Sequence, residues 1–388
     1  MNIVFLSNTM GRGGAEMQIK DYAVRLVERG HRVMVISMMP FEEFEDELSA
    51  GGVETASLGL GKGKASAGAL ATLVTTLVRF RPDVVHAHMF SAILAARVAR
   101  MLFEPLRLAG LQPPIVIGTS HAPFERTRVR YVAYRMTNRL SDLWTNVSRA
   151  GIGEHERQRA IPRGKGILTA NGIDVSRFRP SSATRSSKRA ELGVDEDTFL
   201  WLTVGSFRDS HKDYPTLLRA AARLDRGRKW IIAIAGGGLL LEETQALARE
   251  LKVDDRVRFL GLRSDVLELL QASDAFVLAS WSEAMPIVLL ESGACALPAV
   301  VTDVGESAAI VADGTGFVVP SKSPEALAEG MTKLLEMKPE ARAAMGERAR
   351  EHVTRAFAID VIVRSWEERY LAMTRSRSGA TSAAVGAR

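Results

Sequence analysis

Two glutamates stand eight positions apart in Ser280-Trp-Ser-Glu283-Ala-Met-Pro-Ile-Val-Leu-Leu-Glu291. If Pro286 is the first helical residue, Glu283 lies on a loop and Glu291 lies about a turn and a half inside the helix. Backbone amides near Met285 and Ile287 then offer an anion site. Glu283 can bond sugar hydroxyls, and Glu291 can hold a ribose diol. The alternative is a solvated glutamate pair, which the apolar neighbours of Glu291 disfavour.

Two glycine clusters could bring a phosphate or a sugar close to the backbone. Gly11-Arg-Gly-Gly14-Ala-Glu16 follows the first predicted strand, and Gly236-Gly237-Gly238 follows a later one. We take Gly14 and Gly237 as the candidate binding residues. The first spacing misses the G-x-G-x-x-G dinucleotide pattern, so a nicotinamide cofactor is not favoured. A turn that needs glycine for steric reasons alone is the alternative at both places.

Three of the seven histidines are placed where a metal site is conceivable. His86 and His88 lie on one side of a predicted strand, and His121 follows another. No carboxylate trio accompanies them, and Asp195-Glu-Asp197, the only Asp-x-Asp, falls in a predicted turn. We therefore expect no bound metal and no cofactor.

A basic stretch at 126–139 is predicted to be helical. Arg128, Arg135 and Arg139 then fall within about 40° of one another on the helix. The same helix carries three apolar side chains elsewhere for packing, namely Val132, Met136 and Leu140. The cationic face is either simply solvated or attracted to anionic lipid or a lipid-diphosphate acceptor. Nucleic acid is not expected, because no recognised binding module or stacking platform is present.

The elements that must position these residues alternate between strand and helix, as in a parallel sheet covered on both faces. The first series has predicted strands at 3–6, 33–37, 84–87, 115–119, 143–147 and 166–169, with helices such as 15–29 and 65–79. The second has strands at 198–204, 230–235, 257–260, 275–278 and 298–302, and helices at 324–337, 339–354 and 359–373 close the chain. The polar interval 179–187 between them is predicted to be a linker.

This alternation of strands and helices predicts two Rossmann-like α/β domains, at 1–180 and 188–355. A closing helix at 356–374 and a flexible tail at 375–388 are predicted to follow. Ligands of open parallel sheets bind outside the carboxyl ends of the strands. Two such domains facing each other would form one cleft.

Composition is that of an ordinary globular protein, with 388 residues, 46% apolar and 25% charged. The single cysteine, Cys295, excludes an intramolecular disulfide and fits a reducing interior. Residues 1–180 carry 24 basic and 16 acidic side chains, whereas 181–388 carry 27 and 29. The start lacks a basic signal region, and no apolar run reaches the length of a membrane span. A cytoplasmic protein, attached at most to the inner face of the cytoplasmic membrane, is expected.

The motifs together resemble the retaining glycosyltransferases of group 1 (family 4-like), which have the GT-B fold. Glu283-x7-Glu291 is followed by Pro298-Ala-Val-Val-Thr-Asp303-Val-Gly305 and by Gly314-Thr-Gly316-Phe-Val-Val-Pro320. Further pieces agree in order: Gly13-Gly-Ala-Glu16, Asp83-Val-Val-His86-Ala-His88, Thr119-Ser-His121, Asn171-Gly-Ile-Asp174, Val204-Gly205, Ala235-Gly-Gly-Gly238, Val257-Arg-Phe-Leu-Gly261 and Ala272-Ser-Asp274. The resemblance spans 3–373.

The resemblance implies an acceptor domain, a donor domain and a last helix that crosses back to the first. It implies that His121 and Glu283 are catalytic and contact the donor sugar, that Glu291 holds the ribose, and that a basic pair holds the diphosphate. Here Ser206 takes the usual arginine position, so Arg208 and Lys212 are our choice for the pair. Two smaller departures are Ala284 and Glu306, where the family commonly has glycine.

By resemblance, the expected activity is transfer of a sugar from a nucleotide diphosphate, with UDP favoured, to a glycan or lipid-linked hydroxyl. The expected context is the bacterial cell envelope: lipopolysaccharide, capsule or exopolysaccharide. Three alternatives remain at this point. They are a nucleotide-sugar epimerase of the same fold, a catalytically silent nucleotide-sugar-binding subunit, and an NAD oxidoreductase.

Overall fold

The computed structural model describes residues 1–11, 13–61 and 66–385, without side-chain detail for 107–109 and 378–385. Arg12 of the first glycine cluster, the start of the helix predicted at 65–79 and the last three residues of the predicted tail lie outside the described residues. The chain divides into two compact units, Met1–Asn171 with Ile359–Arg388, and Gly172–Ala358. Each unit has its own parallel sheet and its own apolar packing, with one core in the second unit and two in the first.

The strands of the first unit are β1 Asn2–Ser7, β2 Arg32–Ser37, β3 Glu54–Ser57, β4 Val84–His88, β5 Ile115–Ser120, β6 Leu143–Asn146 and β7 Gly166–Leu168. Their spatial order is β3-β2-β1-β4-β5-β6-β7, and all the pairs are parallel. The order reverses between β1 and β4, which is where such sheets bind ligands. The strand β3 was not predicted, because this edge strand is short and partly exposed and carries no continuous apolar run.

The strands of the second unit are β8 Phe199–Val204, β9 Trp230–Ala235, β10 Val257–Gly261, β11 Ala275–Leu278, β12 Ala299–Thr302 and β13 Gly316–Val319. Their spatial order is β10-β9-β8-β11-β12-β13, so the reversal falls between β8 and β11. Both strands end close to the residues that sequence analysis proposed for donor binding. β13 was missed as a strand, although its residues belong to one of the glycine motifs.

The helices are α1 Gly14–Glu28, α2 Glu45–Ala50, α3 Ala67–Phe80, α4 Phe90–Phe103, α5 Arg128–Thr137, α6 Arg149–Arg157, α7 Ser182–Glu191, α8 Tyr214–Ala221, α9 Leu241–Glu250, α10 Val266–Ala272, α11 Ile287–Ala294, α12 Ser307–Ile310, α13 Pro324–Glu336, α14 Pro339–Phe357 and α15 Ile359–Val385. In the first unit, alternate strand residues supply two cores. Phe5 packs on the face that α1 and α15 cover, and Leu6 packs on the opposite face with α3 and α4.

The interval 179–187, predicted to be a linker, instead contains the start of α7. Ser181 caps this helix, since its side chain accepts a hydrogen bond from the Thr184 amide. Arg185 and Arg189 then tie α7 to Asp274 just before β11, at 2.7 and 3.2 Å. The interval is polar because its side chains make these contacts, and the chain passes from one unit to the next earlier, at Asn171–Gly172.

The last helix, α15, belongs to the first unit. Trp366 and Tyr370 are buried in the core that α1 also covers. Glu367 of the same helix lies 2.8 Å from His31 and also pairs with Arg29. The predicted tail at 375–388 is helical as far as Val385, because α15 continues without a break beyond its packed part.

Candidate active site

The loop between β11 and α11 places the two motif glutamates at the carboxyl edge of the second sheet. Pro286 is the residue before the helix, with φ −71° and ψ 112°, and Ile287 is the first helical residue. The predicted helix start, at Pro286, is therefore one residue too early. Glu283 lies on the loop as predicted, and Glu291 is 7% exposed, so the solvated pair is excluded for Glu291.

Lys212 and Glu283 form an ion pair, with Lys212 Nζ donating to Glu283 Oε1 at 2.7 Å. The Ser280 hydroxyl donates to the same carboxylate oxygen, also at 2.7 Å. The side chains of the pair are only 13% and 11% exposed. The structure thus brings together two residues that sequence analysis proposed separately, one for the diphosphate and one for the sugar.

The loop that carries Lys212 is fastened to the loop that carries Glu283. The Trp281 amide donates to the His211 carbonyl at 2.9 Å, and the Trp281 indole donates to the Ser210 carbonyl at 2.8 Å. Asp213 then caps α8, with its carboxylate accepting from the Thr216 amide. These bonds hold the Lys212 ammonium at the strand edge before any ligand arrives.

The glycine cluster after β9 is needed for backbone packing. A Cβ on Gly236 would lie 1.8 Å from the Gly205 carbonyl oxygen, so the two loops approach as closely as they do only because that side chain is absent. The Phe207 amide donates to the Gly237 carbonyl at 3.0 Å. The steric alternative is thus present at Gly236, and a role for Gly237 in binding stays a prediction.

The other proposed donor residues surround this pair of loops. Arg208 is exposed, and its amide donates to the Ser206 hydroxyl at 3.0 Å. Ser206, which replaces the family's usual arginine, therefore shapes the loop that carries Arg208. Met285 is buried, and Ile287 is partly buried at the start of α11.

Three residues that build this site were not predicted from the sequence: Ser280, Trp281 and Tyr214. The Tyr214 hydroxyl donates to the Gly205 carbonyl at 2.8 Å, and its ring stacks on Phe207 at 4.0 Å. Burial and the nearby Glu283 charge raise the pKa of Tyr214, which keeps it a neutral donor. Ser280 lies three residues before Glu283 on the same loop, and this spacing was a usable signal. No signal in the sequence indicated the contacts of Trp281 and Tyr214.

Gly305 touches the Glu283 loop and offers a direct test of this packing. Its φ is +56°, and a Cβ there would lie 2.4 Å from the carbonyl oxygens of Glu283 and Ala284. We expect Gly305→Ala to lower the free energy of unfolding by about 1–3 kcal/mol more than Gly314→Ala. Gly314 also has positive φ, +79°, but its Cβ would meet only the Arg348 side chain at 3.5 Å. Chemical denaturation measures both, and equal losses would contradict the predicted contact.

In the first unit, the carboxyl ends of β4 and β5 bring the histidines together. His88 pairs with Thr119 in the sheet register, and His88 Nδ1 lies 2.9 Å from His121 Nε2. Burial lowers the pKa of His121 to about 4, and burial lowers the pKa values of His86 and His88 well below 6.5. Within the described residues, no group of three His, Cys, Asp or Glu is arranged to hold a metal.

Gly14 is the first residue of α1, the helix that follows β1 along the chain. Glu16 of the same motif is buried, and its carboxylate accepts a hydrogen bond from the Thr9 hydroxyl at 2.6 Å. Glu16 thus ties the start of α1 to the segment that follows β1. Binding by Gly14 stays a prediction.

The basic helix α5 is present, but it packs differently from the prediction. Its buried side chains are Tyr131 and Tyr134, whereas Val132 and Met136 are 53% and 79% exposed. The prediction that these two residues pack inside is wrong, because the Tyr134 ring fills the space against Phe90 at 5.2 Å.

The three arginines of this helix face are exposed as predicted. Arg128 and Arg135 lie on α5, and Arg139 lies in the short 3₁₀ turn Asn138–Leu140 that follows. Val129, 75% exposed, lies with Val132 and Met136 on a neighbouring stripe of the helix. In the part of the chain that is described, no helix is both long and apolar enough to cross a bilayer.

Two family models match the chain, one for each half. The model of glycosyl transferases group 1 matches residues 184–352, and the model of glycosyltransferase family 4 matches residues 12–177. The first range contains Lys212, Glu283 and Glu291. The second contains His121 and the basic helix.

Two relatives illustrate the range of similarity. A D-inositol 3-phosphate glycosyltransferase of Saccharomonospora viridis is 35% identical over 197 residues, which are 47% of this chain and 45% of that protein. A UDP-Gal:alpha-D-GlcNAc-diphosphoundecaprenol alpha-1,3-galactosyltransferase of Escherichia coli is 25% identical over 286 residues, 69% of this chain and 70% of that protein. The chain spans about half the length of the first curated relatives it matches.

A solved structure shares the fold over almost the whole chain. The Anabaena protein HepE in complex with UDP aligns with a TM-score of 0.81 and 21% identity, covering 96% of this chain and all of that one. The same protein has also been solved with UDP-glucose.

Proposed function

The chain belongs to the group 1 glycosyltransferases and has their two-domain GT-B fold, and from this premise we propose its reaction. The protein transfers a sugar from a nucleotide-diphosphate donor to a hydroxyl acceptor, with retention of the anomeric configuration. The observation that carries the proposal is the Lys212–Glu283 pair at the carboxyl edge of the second sheet, 2.7 Å apart. A fixed cation beside a sugar-binding carboxylate is what departure of a diphosphate requires.

The proposed donor is a UDP-sugar, and its support is the binding of UDP and UDP-glucose by HepE. In this proposal Arg208 and Lys212 bind the diphosphate, and Glu291 binds the ribose diol. The amides near Met285 and Ile287, at the start of α11, add donors for the phosphate oxygens. Gly237 lets the nucleotide approach the backbone.

In the proposed step, the bond from the sugar anomeric carbon to the diphosphate oxygen breaks, and the acceptor oxygen bonds to the same face of that carbon. The acceptor proton passes to a departing diphosphate oxygen. Arg208 and Lys212 stabilise the charge that develops there, and Glu283 and His121 orient the sugar. The cations of the chain itself serve the diphosphate, so we expect no need for a metal ion or other cofactor.

Glu283 must change partners for this reaction to proceed. Its Oε1 accepts from both Lys212 and Ser280, and a bound diphosphate would compete for the Lys212 ammonium. The Ser280 hydroxyl can keep the carboxylate in place while its second oxygen accepts from a sugar hydroxyl.

The proposed acceptor carries a phosphate group and takes part in synthesis of a cell-envelope glycan such as lipopolysaccharide, capsule or exopolysaccharide. The names of both relatives support this, since one acts on inositol 3-phosphate and the other on a diphosphoundecaprenol. Residues 1–180 carry more basic than acidic side chains, 24 against 16, and this excess of positive charge suits an anionic acceptor.

We also propose that α5 attaches the protein to the cytoplasmic face of an anionic membrane. Arg128, Arg135 and Arg139 offer charge to the head groups. Val129 and Met136, which are 75% and 79% exposed, offer apolar surface beside them. A helix face with both features suits a lipid–water boundary better than it suits water alone.

Binding of UDP is the first expected result. At a hundredfold excess over its dissociation constant, UDP should stabilise the fold by about 2.7 kcal/mol. A thermal shift screen of UDP-, GDP-, ADP- and CMP-sugars, with NAD as the control, measures this directly. Stabilisation by NAD without any response to nucleotide sugars would instead favour the oxidoreductase alternative.

Turnover then separates the transferase from the two related alternatives. Incubation with a UDP-sugar and an acceptor, followed by NMR of the anomeric proton, should show product with the donor's configuration. An epimerase would exchange the sugar isomers without an acceptor. A silent binding subunit would bind donor yet show neither transfer nor slow hydrolysis.

A further inference from the structure

His88 and His121 share a hydrogen bond between two imidazoles at the carboxyl edge of the first sheet. His88 Nδ1 lies 2.9 Å from His121 Nε2, and the rings are inclined by 25° with centroids 5.2 Å apart. His88 ends β4 and is 1% exposed, whereas His121 follows β5 and keeps a partly exposed edge. Since burial keeps both rings neutral at pH 7, one nitrogen must donate and the other must accept.

The surroundings hold the His88 ring in one orientation. The ring lies 4.2 Å from His86 and 5.8 Å from Phe5, measured between centroids. His86 has both of its nitrogens occupied, with Nδ1 2.6 Å from the Tyr370 hydroxyl and Nε2 2.6 Å from the Thr119 hydroxyl. His86 is therefore tied to α15 and β5, while His88 is left to bond with His121.

The surroundings of the second ring nitrogen of His88, Nε2, indicate which of the two imidazoles donates the hydrogen bond. Nε2 of His88 is buried and has no hydrogen-bond partner among the described residues. If His121 were the donor, Nε2 of His88 would carry a buried N–H with nothing to accept it. Orphaned buried N–H groups are the rarer kind of unsatisfied group in folded proteins. The favoured arrangement therefore leaves a lone pair on Nε2 of His88 and a proton on its Nδ1.

We propose that His88 is a positioning residue, whose Nδ1–H donates to Nε2 of His121 and so holds the His121 proton on Nδ1. This inference rests on the proposed function, in which His121 contacts the transferred sugar. His121 then presents an N–H donor to a sugar oxygen while the ring stays uncharged. A neutral donor suits this place because a protonated imidazole would repel the positive charge that develops on the sugar in the transition state.

Three variants test the assignment. His88→Phe keeps a flat ring in the buried space and removes the donor, whereas His88→Asn keeps an N–H donor near the position of Nδ1. His86→Phe is the matched control, because His86 is equally buried on the same strand and bonds to Tyr370 and Thr119 instead of His121. A general disturbance of the core would affect the His86 variant as much as the His88 variant.

The first measurement is the tautomer of His121, from the ¹⁵N chemical shifts of its two ring nitrogens in the unliganded protein. We expect wild type, His88→Asn and His86→Phe to hold the proton on Nδ1, and His88→Phe to populate both tautomers. A proton on Nε2 of His121 in wild type would overturn the inference. So would an unchanged single tautomer in His88→Phe. This measurement needs no substrate, so it does not depend on the proposed reaction.

The second measurement is the steady-state kinetics of the same variants with a UDP-sugar. We expect His88→Phe to lower kcat about tenfold, the size of one hydrogen bond lost in the transition state, with KM for the donor nearly unchanged. His88→Asn should recover most of kcat. If the tautomer of His121 shifts in His88→Phe but kcat does not change, His121 has no part in the reaction and must be removed from the proposed mechanism. The assigned direction of the hydrogen bond would still be correct.

Discussion

Replacing Lys212 with alanine is expected to lower kcat/KM for the nucleotide-sugar donor about 10²–10³-fold, the usual loss when one preorganised charge donor is removed from a reacting group. The Lys212 ammonium is held in place before the donor arrives, at 2.7 Å from Glu283 and 13% exposed. The variant also leaves the Glu283 carboxylate, whose side chain is only 11% exposed, without its cation, which should weaken folding of the second unit. Initial rates at varied donor concentration, with parallel thermal unfolding, separate the two effects.

Lys229→Ala is the matched control for this variant. Lys229 belongs to the same unit and also pairs with a carboxylate, Asp197, but its side chain is 64% exposed and precedes β9. Its loss should leave donor turnover at the wild-type level. Glu283→Gln adds a second arm, since the amide can still accept from the Ser280 hydroxyl but no longer pairs with a cation. Wild-type turnover in Lys212→Ala and Glu283→Gln would show that the reaction does not use this pair.

Neutralising the three arginines of the α5 face is expected to weaken binding to anionic vesicles about a hundredfold. Each cation contributes about 1 kcal/mol near such a surface, so three contribute about 3 kcal/mol. The triple glutamine variant of Arg128, Arg135 and Arg139 should keep its fold, because all three side chains are exposed. Sedimentation with vesicles that contain phosphatidylserine, at two salt concentrations, measures the affinity and its electrostatic part.

The second unit offers a control with the same change in charge. Arg223, Arg226 and Arg228 are also exposed, at 45%, 52% and 47%, and lie near carboxylates. Their glutamine variant should bind vesicles as the wild type does. A Val129→Ser, Met136→Ser variant should reduce the part of the binding that salt does not remove, since these are the most exposed apolar side chains of α5. Equal binding by all of these proteins would exclude α5 as a membrane surface.

Much of the fold followed from local patterns. Buried parallel strands are short apolar runs, and all eleven predicted runs coincide with strands within one residue at their ends. Of the two strands that were not predicted, β3 is partly exposed and has no apolar run. β13 does have a short apolar run, Phe317-Val-Val319, which was read only as part of a glycine motif. Likewise α7 was taken for a linker, because its polar residues are held by contacts with Asp274 and not by an apolar stripe.

In the candidate site, too, features that depend on neighbouring residues were predicted, whereas contacts between distant residues were not. The order of the motifs placed Glu283 on a loop and Glu291 inside a helix, since proline and strand ends are marked locally. The pairing of Lys212 with Glu283 joins residues 71 positions apart, and the bond between His88 and His121 joins residues 33 apart. Lys212 and Arg208 were equal candidates in the sequence, and only the structure showed that Lys212 is the one held beside Glu283.

The sequence by itself determined the alternation of strands and helices and the edge at which each functional residue emerges, because these depend on side-chain periodicity and on glycine and proline within a few positions. Only the tertiary structure decided which side chains touch. On α5, Tyr131 and Tyr134 compete with Val132 and Met136 for the core, and both pairs have the right spacing. The fit of Tyr134 against neighbouring helix residues buries the tyrosines and leaves the valine and the methionine exposed beside the arginines.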